Sequence, residues 1–363
     1  MFQLNPQTRK KLRRFREIKR GYYSFMLLVG FMLLSGIGEL LVNNRALMVS
    51  YEDTWYFPTY SDFHPGTDFG LEYGYETNYR DLQGVFAEAS VNNKHSDVSD
   101  NFVIMPLIPY SAFENHAPSG IYKPEPPSMS LQHYLGTDTT SRDILARLFY
   151  GTRTALLFAL AFMVCVYGIG ISVGCAMGYF GGTFDLIFQR LIEIWSNVPL
   201  LYTVIIVFSV IPATLSIPVR IAILLLVLVL FSWPGMTYYM RTETYKEKSR
   251  DYIAAARVIG ASDSRIIFNH ILPNVMSTLV TFMPFTIVSA VTLITALDFL
   301  GFGLPVPTPS LGELLKQGTA NLRTAPWIVT SAFLTLVALL TLVTFIGEAI
   351  RESFDPKKFT VYK

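Results

Sequence analysis

Cysteine is nearly absent from this chain of 363 residues; there are 2, Cys165 and Cys175, both inside one apolar run. On a single helix they stand roughly 15 Å apart, too far for an internal disulfide. They read as small helix-packing residues and say nothing about redox compartment. The 5 histidines, His64, His95, His116, His133 and His270, show neither i,i+4 nor Cys-paired spacing, so no metal site is expected. No G-x-x-x-x-G-K-[ST] loop occurs, so the chain is not expected to bind ATP by that route. No nucleophile, base and orienter are recognisable together, which disfavours a membrane-embedded enzyme. Nothing calls for nucleic acid, and no cofactor is expected on this chain.

What the chain has is apolar surface. It is 51% hydrophobic and 14% aromatic, with a mean hydropathy of +0.38, values that place it in the membrane class. Six stretches approach the ~20 residues that a bilayer-spanning helix needs: 22–42, 154–179, 194–211, 219–239, 275–297 and 327–346. The expected fold is an all-α polytopic membrane protein. The basic run "RKKLRRFREIKR" precedes the first stretch. Arg241, Lys246, Lys248, Arg250, Arg257 and Arg265 follow the fourth, and Arg351, Lys357, Lys358 and Lys363 follow the sixth. Residues 45–132 are instead acidic and aromatic. Positive charge favours the cytoplasmic side, so both termini are expected there. The resulting organisation is a basic N-terminus (1–21), a first span (22–42), a periplasmic loop-rich insertion (43–135), a five-helix core (136–350) and a short tail (351–363). The insertion suits either a docking surface for an extracytoplasmic partner or a cap on the mouth of the bundle. Prolines in its second half argue against long helices there.

Gly170, Gly174 and Gly178 recur every four residues in "GIGISVGCAMGYF", a face that lets a neighbouring helix backbone come close. Pro199, Pro212, Pro234 and Pro284 fall within or beside spans, breaks tolerated where neighbours or a cavity resatisfy the backbone. Between the fourth and fifth spans, within a cytoplasmic loop 241–274, lies "DYIAAARVIGASDSRIIFNHILPN", Asp251 to Asn274. Tyr252, Ile253, Ala256 and Ile259 share one helical face. Gly260 ends that helix, Ser262 or Asp263 can cap a second, and Pro273 is expected to force a bend. Two short helices joined at a glycine, thin along Ala254, Ala255 and Ala256, form a lever that another protein could grip.

This segment resembles the coupling loop of ABC importer permeases, E-A-A-x-x-x-G-x₉-I-x-L-P. Gly260, Leu272 and Pro273 align with it, as do Ala255 and Ala256, while Ala254 stands where the family has glutamate and His270 where it often has isoleucine. "LGTDTTSRDILARLFYGTRTAL", "ALDFLGFGLPVPTPSLGELL" and "GEAIRESFDPK" resemble further motifs of the dipeptide and oligopeptide C-type permeases. Ser141, Ala146, Asp298 and Leu311 replace that pattern's Gly, Ser, Ser and Trp. With its long insertion the chain looks most like the microcin C and oligopeptide importer permease of Gram-negative inner membranes. The resemblance implies a type I importer permease fold and a heteromer with a second permease chain in membrane lipid. It also implies a cytoplasmic ABC ATPase that binds ATP and Mg, a periplasmic peptide-binding protein, and transport by alternating access. It places ATPase contacts at Asp251, Ala254, Ala255, Ala256, Arg257, Gly260, Ala261, His270, Leu272 and Pro273. A carboxylate near the outer end of a span is costly unless it faces water or a partner. Asp298, with its neighbour Phe299, is therefore a candidate for the substrate pathway, against the alternative of a salt bridge or helix-end cap. Nickel, glutathione or an opine as substrate, and a scaffold or sensor that does not transport, are the rival readings.

Overall fold

The computed structural model describes residues 6–61, 63–92, 101–117, 120–212 and 214–354; among these are twelve α-helices, two 3-10 turns, one π turn and one small sheet. His95, Pro118, Lys357, Lys358 and Lys363 lie outside the described residues. In chain order the helices are α1 (Pro6–Glu17), α2 (Lys19–Gly36), α3 (Tyr79–Asn92), α4 (Ile144–Phe180), α5 (Gly182–Ser196) and α6 (Leu200–Val210). They continue with α7 (Ile217–Lys248), α8 (Asp251–Val258), α9 (Asp263–Arg265), α10 (Leu272–Leu300), α11 (Leu311–Ala320) and α12 (Pro326–Phe354).

By length and composition, four helical stretches among the described residues can cross a membrane: Ile144–Phe180, Ile217–Lys248, Thr278–Leu300 and Pro326–Phe354. The pair α5 and α6 passes the same test jointly but is bent by 70°. Pro199 explains the break. It sits in extended conformation before α6, and a proline disfavours helical geometry in the residue preceding it. The stretch expected to begin at residue 194 is therefore the second arm of a longer element that starts at Gly182. Two successive glycines of positive φ, Gly181 (65°) and Gly182 (57°), separate it from α4. The first stretch also differs from expectation. Helix α2 stops at Gly36, Gly38–Leu40 forms a 3-10 turn, and Val42 bridges to Ile108.

The chain divides into two compact units. The first comprises Met1–Leu28, Ala155–Pro305 and Val337–Lys363. Within it the three glycines of α4 line the contact with α7. A Cβ on Gly170 would meet the Met236 side chain at 2.6 Å, one on Gly174 the Thr237 carbonyl oxygen at 2.5 Å, and one on Gly178 the Arg241 carbonyl oxygen at 2.6 Å. Close backbone approach of this kind is the packing that small residues permit. Helix α5 is tied to α7 by a fork. Arg241 donates from Nε and Nη2 to the two carboxylate oxygens of Asp185 at 2.5 and 2.6 Å, and Tyr245 adds its hydroxyl at 2.8 Å. Both cysteines are free; Cys175 is buried and Cys165 exposed.

The second unit comprises Val29–Thr154 and Val306–Leu336. It contains a three-stranded antiparallel sheet of order β2-β1-β3, with β1 Met48–Tyr51, β2 Thr54–Tyr56 and β3 Phe102–Ile104. Glu52 and Asp53 form the two-residue turn between β1 and β2, both at positive φ (46° and 60°), the geometry that suits strand twist. Val49, Phe69, Tyr79, Leu82, Phe86 and Val103 make the core beneath the sheet and α3. The segment before α4 is pinned by charge. Arg142 donates to Asp138 at 2.8 Å and to Glu313 of α11 at 2.9 Å. Arg147, fully buried, pairs with the same Glu313 and lies 3.5 Å from Asp138. Asp143 accepts from the Ala146 backbone N–H at 2.7 Å, capping α4, and contacts the buried His133 ring at 2.8 Å. Ser141, where the family pattern has glycine, adopts a φ of 59°. Its hydroxyl and the Lys123 backbone exchange two hydrogen bonds at 3.0 Å. The left-handed conformation of Ser141 is one that a glycine adopts freely, here held by side-chain bonding.

Candidate functional site: the segment between α7 and α10

Helix α8 has one fully buried apolar side chain. Ile253 is buried and Ala256 half-buried, while Asp251, Tyr252, Ala254, Ala255 and Arg257 are exposed. The inward face is narrower than the sequence pattern predicts, because Ile259 turns outward with the helix end. Gly260 supplies that turn at a φ of 86°. Its N–H donates to the Arg257 carbonyl at 2.9 Å, and Ala261 N–H to the Ala256 carbonyl at 3.0 Å. These are the two bonds of a Schellman cap, which requires a residue in the left-handed region. The cap leaves Val258 and Ile259 88% and 86% exposed, and Phe268 is 62% exposed on the following turn.

The second arm begins at Ser262, whose hydroxyl accepts from the Arg265 N–H at 3.4 Å. It does not stop at Pro273. Ile266–Ile271 form a widened π turn that runs directly into α10, with Pro273 in the first turn of α10. The Leu272 N–H bonds to the Ile267 carbonyl. Proline lacks an N–H and its ring crowds the carbonyl four residues back. A wider turn before Pro273 accommodates both, so the second arm runs into α10 without a break in helical structure. Ile266 and Ile271 are buried, Leu272 and His270 half-buried, and Pro273 exposed.

Two tyrosines fasten this segment. The Tyr179 hydroxyl, at the end of α4, donates to Asp263 at 2.5 Å. Its ring carries the Arg257 guanidinium at 5.2 Å and the Lys248 ammonium at 5.5 Å, and its carbonyl accepts from Lys248 Nζ. One residue of α4 thereby touches α7, α8 and α9. Tyr252 donates to Glu247 at 2.5 Å and accepts from Asn274 Nδ2 at 3.1 Å, which joins α8 to the start of α10. Partial burial and the Glu247 carboxylate push the Tyr252 phenol up to about 12, so it stays a donor at neutral pH. Sequence reasoning passed over Tyr179. Its position at the last turn of a long apolar helix, just before Gly181-Gly182, was the available signal.

Asp298 and Phe299 lie at the other end of α10. Asp298 is 8% exposed. Its Oδ1 accepts from the Leu304 N–H at 2.5 Å, and a Cβ on Gly303 would stand only 1.8 Å from it. Gly301, at a φ of 89°, closes the helix above it. This geometry is that of a helix-end cap; Phe299 is 39% exposed beside it. A cavity of about 450 Å³ lies instead among α4, α7 and α10. Tyr167, Ser232, Tyr239, Phe282, Thr286 and Ser289 are among its lining residues, and among the described residues no charged side chain lines it. Its volume is in the range of small-ligand sites. Interleaved hydroxyls and aromatics on three spans left no periodic trace by which the sequence could announce it.

Comparison with known proteins follows the same lines. Residues 170–360 match the family described as binding-protein-dependent transport system inner membrane component. The inner membrane ABC transporter permease protein YejE of Escherichia coli (strain K12) is 39% identical over 358 residues, 99% of each chain. The peptidoglycan transport system permease protein YejE of Agrobacterium fabrum is 35% identical over 369 residues, 98% of this chain and 94% of that one. The dipeptide transport system permease protein DppC of Haemophilus influenzae is 34% identical over 226 residues, 62% of this chain and 74% of that one. The match spans the α4–α7 contact and the whole segment between α7 and α10. On these grounds the chain belongs to the family of inner-membrane components of binding-protein-dependent transport systems.

Proposed function

We propose that this chain is one permease subunit of an ATP-driven importer that carries peptides across the inner membrane by alternating access. The observation that carries the proposal is the segment between α7 and α10. Val258 and Ile259 at the capped end of α8, and Phe268 in the π turn, are exposed in a chain similar along nearly all its length to ABC transporter permeases. An ATPase bound there would move α8 and α9. Tyr179 would pass that motion to α4, and the π turn would pass it to α10. Those are two of the three helices around the 450 Å³ cavity, so force applied at Gly260 would reach the wall of a candidate pathway.

The partners in this proposal are a second permease chain, an ABC ATPase that holds ATP and Mg, and a periplasmic peptide-binding protein. The peptide substrate rests on relatives named for dipeptide and peptidoglycan transport. Six spans follow if α2, α4, the bent pair α5–α6, α7, α10 and α12 each cross once. The basic α1 then sits on the cytoplasmic side, with the segment between α7 and α10 on that side and residues 43–135 in the periplasm. Uptake of labelled peptides of graded length, in cells lacking this chain with and without its restoration, tests the proposal. Uptake that is lost and then returns supports peptide import. Unchanged uptake across the panel would exclude it.

A further inference from the structure

A second concavity, unrelated to the pathway and the coupling segment, lies within the first unit. It is a cleft of about 500 Å³ between α1, the start of α2, α10 and the end of α12. Its floor is apolar: Phe15, Phe25, Met26, Val280 and Ile350 line it. Phe15 and Phe25 meet edge to face at 5.9 Å. Its rim is cationic. Lys11 Nζ lies 4.4 Å from the Phe354 ring centroid and the Arg16 guanidinium 5.8 Å from that of Tyr22. Both cationic heads thus lie against aromatic rings that line the cleft.

The charge around the cleft is one-sided. Arg9, Lys10, Lys11, Arg13, Arg14, Arg16, Lys19 and Arg20 fall within residues 9–20, against Glu17 alone. Glu17 is engaged by Arg13 at 3.3 Å, and Arg20 by Glu348 at 3.3 Å. Among the described residues, Lys11 and Arg16 make no ion pair. An apolar slot with two cations among its lining residues, neither ion-paired among the described residues, beside the apolar helix α2, matches one ligand chemistry: a net anionic headgroup on acyl chains. Basic clusters beside a span attract anionic headgroups, and a basic amphipathic helix lies in the interface plane.

We propose that this cleft is a binding site for an anionic phospholipid, with an acyl chain on the Phe15–Phe25 floor and the phosphate between Lys11 and Arg16. The lipid would fasten α1 to the ends of α2 and α12. The site needs no assumption about which side the N-terminus occupies, nor about the transported substrate.

The test uses the full-length chain, delipidated in detergent, and native mass spectrometry. The probes are dioleoylphosphatidylglycerol, dioleoylphosphatidylcholine and inorganic phosphate. Phosphatidylglycerol is expected to bind one site about fivefold or more tightly than phosphatidylcholine. The double variant Lys11→Gln with Arg16→Gln is expected to weaken phosphatidylglycerol by the factor of that preference, about fivefold, to the level of phosphatidylcholine, and to change phosphatidylcholine, whose choline cation offsets its phosphate, by no more than about twofold. Leu12→Asn, at the apolar edge, should weaken both lipids alike. Melting temperature in detergent guards against unfolded variants. Equal affinity for the two lipids, or a double variant that keeps the preference, overturns the proposal. So does displacement of phosphatidylglycerol by inorganic phosphate, which would make this a headgroup site alone. If the double variant loses association with the partner ATPase while phosphatidylglycerol binding is unchanged, the cleft is a protein contact and the proposal fails.

Discussion

Replacing Gly260 gives a graded test of the coupling segment, because its surroundings remove one variable. A Cβ placed on Gly260 meets nothing within 4 Å, yet its φ is 86°. Any cost of substitution is therefore conformational and local. Asparagine tolerates the left-handed region, alanine pays roughly 1–2 kcal/mol there, and a β-branched residue is a genuine outlier. The expected order of function is Gly260, then Gly260→Asn, then Gly260→Ala, then Gly260→Val. A cost of about 1.4 kcal/mol lowers the capped-to-uncapped ratio about tenfold, so from a nearly isoenergetic start the capped population falls from about a half to about a tenth. The bonds at stake are Gly260 N–H to Arg257 and Ala261 N–H to Ala256. Amide exchange at these two positions should rise in the same order as peptide uptake falls, at equal membrane level. Uptake that is equal for Asn and Val, or that falls with no change in exchange at residues 260 and 261, would refute the reasoning.

Three further outcomes follow from the packing. Gly174→Ala places a Cβ 2.5 Å from the Thr237 carbonyl oxygen, a backbone atom that cannot rotate away. The helices must separate, at about 1–3 kcal/mol, seen as a lower melting temperature; Gly168→Ala, with no neighbour within 4 Å, should leave it unchanged. Glu313→Gln leaves Arg147 buried with Asp138 as its remaining carboxylate and should cost about 3 kcal/mol, read as faster amide exchange across residues 138–147. His116 is driven below its usual 6.5 by burial, with Arg80 and His133 adding repulsion against weaker help from Glu114 and Asp81. The folded form therefore favours the neutral ring. Its contribution to stability is intact above about 6.5 and is lost as pH falls from there through the depressed folded value. Melting in detergent from pH 7.5 to 5 should show this loss, and His116→Asn should flatten it.

Apolar run length located the long apolar helices because each is a run of Leu, Ile, Val and Phe with few charges, a pattern that survives without any partner. The glycine at 260 was also legible, since a helical face that ends at a glycine demands a left-handed cap. Element ends were not legible. The first expected span ran on to 42, but Gly36 ends α2 and Val42 pairs with Ile108, a contact 66 residues away that hydropathy cannot register. Pro273 looked like a stop because the absence of an N–H is visible in sequence, whereas a widened turn that accommodates it is not. Asp298 looked like an expensive intramembrane charge. Its hydrogen bond to the Leu304 backbone depends on the reversal at Gly301, and only the fold brings the two together. Arg142, Arg147 and Glu313 meet through 171 and 166 residues of intervening chain, and one residue of sequence cannot indicate the other.

In the proposed importer the segment between α7 and α10 transmits work from an ATPase into this bundle. The direct measurement is ATP-driven uptake of a labelled peptide into liposomes holding this chain, its partner permease and the ATPase, with the binding protein outside the vesicle face it serves. Wild-type complex should import peptide and hydrolyse ATP faster when the loaded binding protein is present. Val258→Asp with Ile259→Asp should abolish both stimulation and uptake, by charging side chains 88% and 86% exposed without touching the folded core. A double variant that imports peptide at the wild-type rate would contradict the claim.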